Sequence, residues 1–313
     1  MISGRAATPL AEAWVRARFV LELRHQALET SSLVTIQRGR GKPSLFLVHG
    51  VGGGMLWGYA NLARALGAEQ PVYAFKSRGL DGLEEFTTIE EMAAQYVADL
   101  LRFQPAGPFY LGGYCFGGLV AYEMARQLKA QGHETALLLL LNCWPNHSSY
   151  TRVIWTPTFL AKFFWNLAVR LRLQMRYIAK RPNHYFKWRT AWLHRRIAAF
   201  CSQNEERVIG DKLEDLRPGS QPDRSLWLTH VRAWLRFVPK PYDGKIVLLR
   251  TQGHPLICSF DPQMGWGSFA SGGVNVRICE GDHESILEEE NAPDAAWHVR
   301  EILDEVQTRR HNT

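Results

Sequence analysis

Residues 110–125 read YLGGYCFGGLVAYEMA. The centre, Gly113-Tyr114-Cys115-Phe116-Gly117, has the G-x-S-x-G spacing of a nucleophile elbow, with cysteine in place of serine. A strand that ends on Cys115 and turns at once into a helix needs a tight backbone, and the flanking glycines let it form without a Cβ clash. The corner side chain then projects above the sheet. The N–H of Phe116, at the helix N-terminus, faces a carbonyl oxygen under attack there. That terminus favours negative charge, whether on a thiolate or on an oxyanion. A second oxyanion donor is expected from His49-Gly50-Val51-Gly52-Gly53-Gly54, with the Val51 N–H first and Gly52 next. The competing reading of Cys115 is a small buried residue in an elbow that has lost its function. The remaining parts of the kit argue against it.

A thiol nucleophile needs a base. Glu280-Gly281-Asp282-His283-Glu284 follows the last run with strand character, and His283 is the candidate. The group that orients its imidazole has two candidates. Asn142 ends the strand after the elbow helix, and Asp261 lies in FDPQMGW, after a later strand. Serine chemistry builds an imidazolium that needs a carboxylate. A cysteine is less demanding, because its proton can already rest on histidine, and the pair then needs orientation more than charge. Cys115, His283 and Asn142 would form a Cys-His-Asn site. Asp261 would fit the more general order, or would simply cap its own loop.

These residues need a scaffold. SLFLVHG (44–50), PVYAFKS (71–77), FYLGGYC (109–115), ALLLLLN (136–142), KIVLLRT (245–251) and VNVRICE (274–280) read as strands. Helical spacing fills 56–66, 116–132 and 225–238, and a final helix covers about 292–309. Thr88-Ile89-Glu90-Glu91 reads as a capping box opening a helix to about Phe103. Strands apolar on both faces and alternating with helices predict an α/β fold with a mostly parallel sheet covered on both sides. Residues 1–32 read as a peripheral helix or linker, and 33–313 as one domain. Within that domain, 143–225 contains no convincing strand. Its amphipathic helices, punctuated by Pro157 and Pro182, predict an insertion lying as a lid over the C-terminal edge of the sheet.

Composition excludes several classes. Five cysteines without a C-x-x-C argue against a disulfide framework or zinc site, so Cys143, Cys201, Cys258 and Cys279 read as small buried hydrophobes. The glycine-rich loop is not a dinucleotide fingerprint: Met55 stands where the third glycine belongs, and the next strand runs into Lys76 rather than an acid. No bound cofactor or metal is expected. No apolar run is long enough to span a bilayer and no signal peptide is evident, which together predict a cytoplasmic protein. The net charge of +7 is concentrated: from Thr135 to Asn204 there are eleven Lys and Arg and no Asp or Glu. A basic lid would steer an acidic partner to the site. Its aromatic residues Phe159, Phe163, Phe164, Trp165, Trp188 and Trp192 either line a tunnel to the site or form the lid's own core. Contact of the lid with anionic membranes is a lesser reading. Nucleic-acid binding is not expected, because no recognisable module is present.

Four pieces, in order, resemble the thioesterase domains that end non-ribosomal peptide and polyketide assembly lines: LFLVHGVGG (45–53), YLGGYCFGGLVAYEMARQL (110–128), LLLLLNCWP (137–145) and SFDPQMGWG…GGVNVRICEGDHESIL (259–287). The resemblance spans about residues 32 to 308 and implies an α/β-hydrolase fold with a helical lid. It implies an acyl or peptidyl chain delivered on the phosphopantetheine arm of an acidic carrier protein. The chain would pass to Cys115 and then to water, an internal nucleophile, or an amine or hydroxyl acceptor. The family usually has serine at the position of Cys115 and aspartate at that of Asn142. Two other classes compete: a small-molecule cysteine hydrolase of the dienelactone hydrolase kind, which the long insertion disfavours, and a non-catalytic acyl-binding protein.

Overall fold

The structure, a computed structural model, describes residues 32–180, 224–255 and 257–311. The expected helix or linker over 1–32 therefore lies outside the described residues except for Ser32, as do Trp188, Trp192 and Cys201.

Seven strands form one sheet: β1 (Leu33–Gln37), β2 (Leu45–Val48), β3 (Val72–Phe75), β4 (Phe109–Tyr114), β5 (Thr135–Leu141), β6 (Ile246–Thr251) and β7 (Val274–Cys279). Their order is β1-β3-β2-β4-β5-β6-β7. All neighbours are parallel except β1, which pairs antiparallel with β3 at the edge. The six strands expected from the sequence are present with ends moved by a few residues. β1 was not anticipated: LVTIQ has a single fully buried side chain, Val34, as an edge strand allows.

Alternation along the strands explains the two layers. Phe46 and Val48 of β2, with Leu138 and Leu140 of β5, face the helices α2 (Ile89–Phe103) and α3 (Phe116–Ala130). Leu45 and Leu47, with Leu137, Leu139 and Leu141, face α1 (Leu56–Leu66) and the final helix. Both faces are apolar because both are covered, which is why these strands read as continuous hydrophobic runs. The capping box holds: Thr88 Oγ1 accepts from the Glu91 N–H at 3.2 Å and opens α2.

Between β5 and β6 the described residues contain helices α4 (Pro157–Lys180) and α5 (Arg224–Arg236) and no strand. The final helix, α6, is Ala292–His311. The aromatic stripe of α4 divides. Phe159 is buried against Phe260, stacks on Phe163 and meets Trp155 edge-on. Phe164 and Trp165 are 62% and 75% exposed and belong to neither a tunnel nor a core among the described residues. No described helix is long and apolar enough to cross a membrane.

Candidate active site

Cys115 caps the N-terminus of α3 with φ 52° and ψ −115°, in the positive-φ region that a residue with a Cβ rarely adopts. Such backbone strain persists only where the surroundings impose it. Here they do. Helix α3 begins so close to β2 that a Cβ on Gly117 would lie 2.2 Å from the Val48 carbonyl oxygen. A Cβ on Gly113 would lie 2.3 Å from Gly117 itself. The two elbow glycines thus permit the close approach, and Cys115 takes the strain.

His283 lies in the loop after β7. Its ring stands between Tyr114 and Trp144, at centroid distances of 5.0 and 5.2 Å. The Tyr114 hydroxyl donates to the His283 carbonyl and fixes the backbone. Asn142, buried at the end of β5 with φ 46°, places its amide nitrogen 3.0 Å from His283 Nδ1. The same nitrogen donates to Thr251 Oγ1 at 3.3 Å, and the Thr251 N–H reaches Asn142 Oδ1 at 3.5 Å. Asp261 makes no such contact. Its carboxylate accepts from the N–H groups of Gln263 at 3.0 Å and Gly265 at 2.8 Å. The structure therefore corrects the equal standing of the two candidates: Asn142 meets the imidazole, whereas Asp261 caps its own turn. The reason is sheet order. β5, β6 and β7 are neighbours, so their C-terminal ends bring Asn142, Thr251 and the His283 loop together.

The resting ion pair is corrected too. Burial pushes the Cys115 thiol up to about 12, although the Phe116 N–H pulls the other way. Burial lowers the His283 imidazole to about 4, with Asp282 raising it and Arg170 lowering it further. Both groups are then neutral at pH 7, and the helix terminus does not offset the loss of water around the sulfur.

On the far side of the elbow, Val51–Gly53 form one turn of 3₁₀ helix. The Gly53 N–H bonds to Gly50 O, and the Gly54 N–H to Val51 O. Gly52 is already committed, because its N–H donates at 2.9 Å to Nδ1 of His230, on α5. None of these bonds uses the Val51 N–H. No local spacing connects position 230 to position 52, and only the packing of α5 on the loop reveals the contact.

The other cysteines among the described residues, Cys143, Cys258 and Cys279, are free and buried. No group of three or more His, Cys, Asp or Glu among the described residues is placed to hold a metal ion.

A covered, mostly parallel sheet with a positive-φ elbow between a strand and a helix is the architecture of the α/β-hydrolase class. Residues 43–163 match the sequence model of the thioesterase domain family. The chain is 40% identical over 116 residues to a dimodular nonribosomal peptide synthase of Bacillus subtilis (strain 168), which is 37% of this chain and 5% of that protein. It is 40% identical over 120 residues to an atromentin synthetase of Paxillus involutus, covering 38% of this chain and 12% of the relative. The chain thus spans a small part of the length of these curated relatives. Among solved structures, it superposes on the NocB thioesterase domain from the nocardicin cluster with a TM-score of 0.56 and 22% identity. That match covers 87% of this chain and 99% of the other, and shows the shared fold.

Proposed function

We propose that this protein is an acyl-transferring thioesterase that takes an acyl or peptidyl chain from the phosphopantetheine thioester of a carrier protein onto Cys115. The observation that carries the reading is the strained elbow at Cys115, with His283 and Asn142 in contact beside it. As Sγ attacks the thioester carbonyl, His283 Nε2 accepts the thiol proton. The carbonyl oxygen becomes an oxyanion held by the N–H groups of Phe116 and Val51. Collapse breaks the carbon–sulfur bond to pantetheine, and the leaving thiolate takes the proton from the imidazolium. The acyl group is then a thioester on Cys115.

This step requires His283 protonated on Nδ1 and free on Nε2. The 3.0 Å contact with Asn142 serves that tautomer when the amide turns its oxygen towards Nδ1. The turn gives up little, because the Thr251 N–H bond that opposes it is 3.5 Å long. Exchange of one thioester for another is nearly thermoneutral, and the acyl-cysteine stays more activated than a serine ester, especially towards amines. Transfer to an amine or hydroxyl, including ring closure, therefore competes with hydrolysis. The exposed Lys162, Arg170, Arg172 and Arg176 of α4 suit an acidic carrier protein as partner. The relatives' place in peptide synthetases supports the same partner.

The test is intact mass after brief exposure to acyl-pantetheine thioesters. One acyl adduct is expected on wild type and none on Cys115→Ala. An adduct retained by Cys115→Ala would overturn the assignment of the nucleophile. Free acid as the sole product, whatever acceptor is supplied, would overturn transfer.

A further inference from the structure

The contact between α5 and the loop after β2 belongs to a buried network that the reaction, as described, does not use. His230 is fully buried. Its ring lies between Phe116 and His49, at centroid distances of 4.8 and 5.1 Å. Its Nδ1 accepts from the Gly52 N–H, so its proton is on Nε2, 3.4 Å from Glu85 Oε2. Burial pushes the Glu85 carboxyl up, but the nearby His230 ring, the hydrogen bond from Ser77 and the charge of the imidazoles outweigh it and hold it at about 2. Glu85 is therefore a carboxylate. It also accepts from the Gly79 N–H at 3.2 Å and the Phe86 N–H at 2.9 Å.

His49 completes the arrangement from the other side. Its Nδ1 lies 2.7 Å from Gly50 O, and because a carbonyl can only accept, Nδ1 carries the proton. Its Nε2 accepts from the Tyr96 hydroxyl at 2.8 Å. Gly50 O and the Val51 N–H belong to one planar trans peptide and point in opposite directions. Holding Gly50 O therefore aims the Val51 N–H. Holding the Gly52 N–H fixes the next peptide, and Gly52 adopts φ 64° and ψ 20° between the two anchors. Only one of these anchors, His230, comes from α5, which follows the insertion.

We propose that His230 is a positioning residue for acyl transfer: seating of α5 sets the oxyanion loop through the Gly52 N–H, and so sets the Val51 donor. A chain whose α5 is unseated keeps its nucleophile and base but has lost one of the two oxyanion donors. The inference rests on the acyl-transfer reading and deepens it.

Two substitutions separate positioning from packing. His230→Phe keeps the ring stack and removes the acceptor. His230→Asn removes the ring but keeps an acceptor where Nδ1 stood. If His230 only packs, Phe is the better replacement; if it positions Gly52, Asn is. Loss of one oxyanion donor slows reaction by about 10²- to 10³-fold. The acylation rate of Cys115 by an acyl-pantetheine thioester is accordingly expected to fall at least about tenfold in His230→Phe, with a smaller fall in His230→Asn. Alkylation by iodoacetamide, which builds no oxyanion, should not distinguish the two variants from wild type. Hydrogen exchange of a peptide covering 45–56 should be faster in His230→Phe than in His230→Asn. Should His230→Phe fail to fold, Glu85→Gln, which loosens the hold on Nε2, should lower acylation with alkylation unchanged. Wild-type acylation matched by His230→Phe, or loop exchange equal in the two variants, overturns the inference and leaves the thioesterase reading intact. A wild type that no thioester acylates overturns that reading, and the catalytic role of His230 with it.

Discussion

Two histidines, His230 buried and His283 half-buried, stand on either side of the elbow, and their surroundings differ in one respect. His283 lies between Tyr114 and Trp144 and is met by a neutral amide, Asn142. His230 lies between Phe116 and His49 and is met by a carboxylate, Glu85. The carboxylate thus serves the imidazole that holds backbone, while the imidazole proposed as the base is met by an amide. Burial lowers the His283 imidazole to about 4, and a neutral amide adds no negative charge to offset it. That arrangement suits a thiol better than an alcohol. Thiolate is the better leaving and attacking group, so less of the barrier has to be removed by charge on the histidine.

The comparison can be broken most forcefully at the nucleophile. Cys115→Ser should abolish acyl transfer, because a hydroxyl beside an amide-backed histidine has no carboxylate to stabilise the imidazolium. Cys115→Ser with Asn142→Asp should recover a measurable part of it. A serine variant already active with Asn142 in place would show that the amide is no handicap. Next in size is the base itself. His283→Ala should lower acylation of Cys115 by about 10²- to 10⁴-fold, the usual worth of a positioned general base, measured by rapid-quench mass spectrometry.

The pH dependence sharpens the contrast. The base must be unprotonated, so acylation should be flat from about pH 8 to 5 and fall as pH drops through about 4. Asn142→Asp places a negative charge by the imidazole, favours the imidazolium, and should move that limb upward by about one to three pH units. An unmoved limb would mean that residue 142 does not face His283 during the reaction. Because the thiol is pushed up to about 12, iodoacetamide labelling of Cys115 should rise about tenfold per pH unit between pH 6 and 9. The smallest effect concerns the rejected candidate. Asp261→Asn should leave acylation unchanged and lower stability by about 1–2 kcal/mol, because it weakens two backbone hydrogen bonds in its own turn. A large loss of acylation without loss of stability would return Asp261 to the site.

Much of this site could be read in order along the chain. Gly113-Tyr114-Cys115-Phe116-Gly117 sets a strand–turn–helix by local sterics, and continuous apolar runs mark strands covered on both faces. The position of His283 after the last strand, and the loop from His49 to Gly54, followed from the same pattern. These features depend on residues close together in sequence, where spacing maps onto geometry. The tertiary structure decided the rest. Whether residue 142 or 261 meets position 283 depends on which strand ends are neighbours in the sheet. The protonation states of Cys115 and His283 depend on how much water their surroundings exclude. The link from His230 to Gly52 crosses 178 residues and exists only because α5 packs on the loop. Hydrogen bonding and desolvation act over a few ångströms in space, and no local spacing in the chain encodes which distant residues will share them.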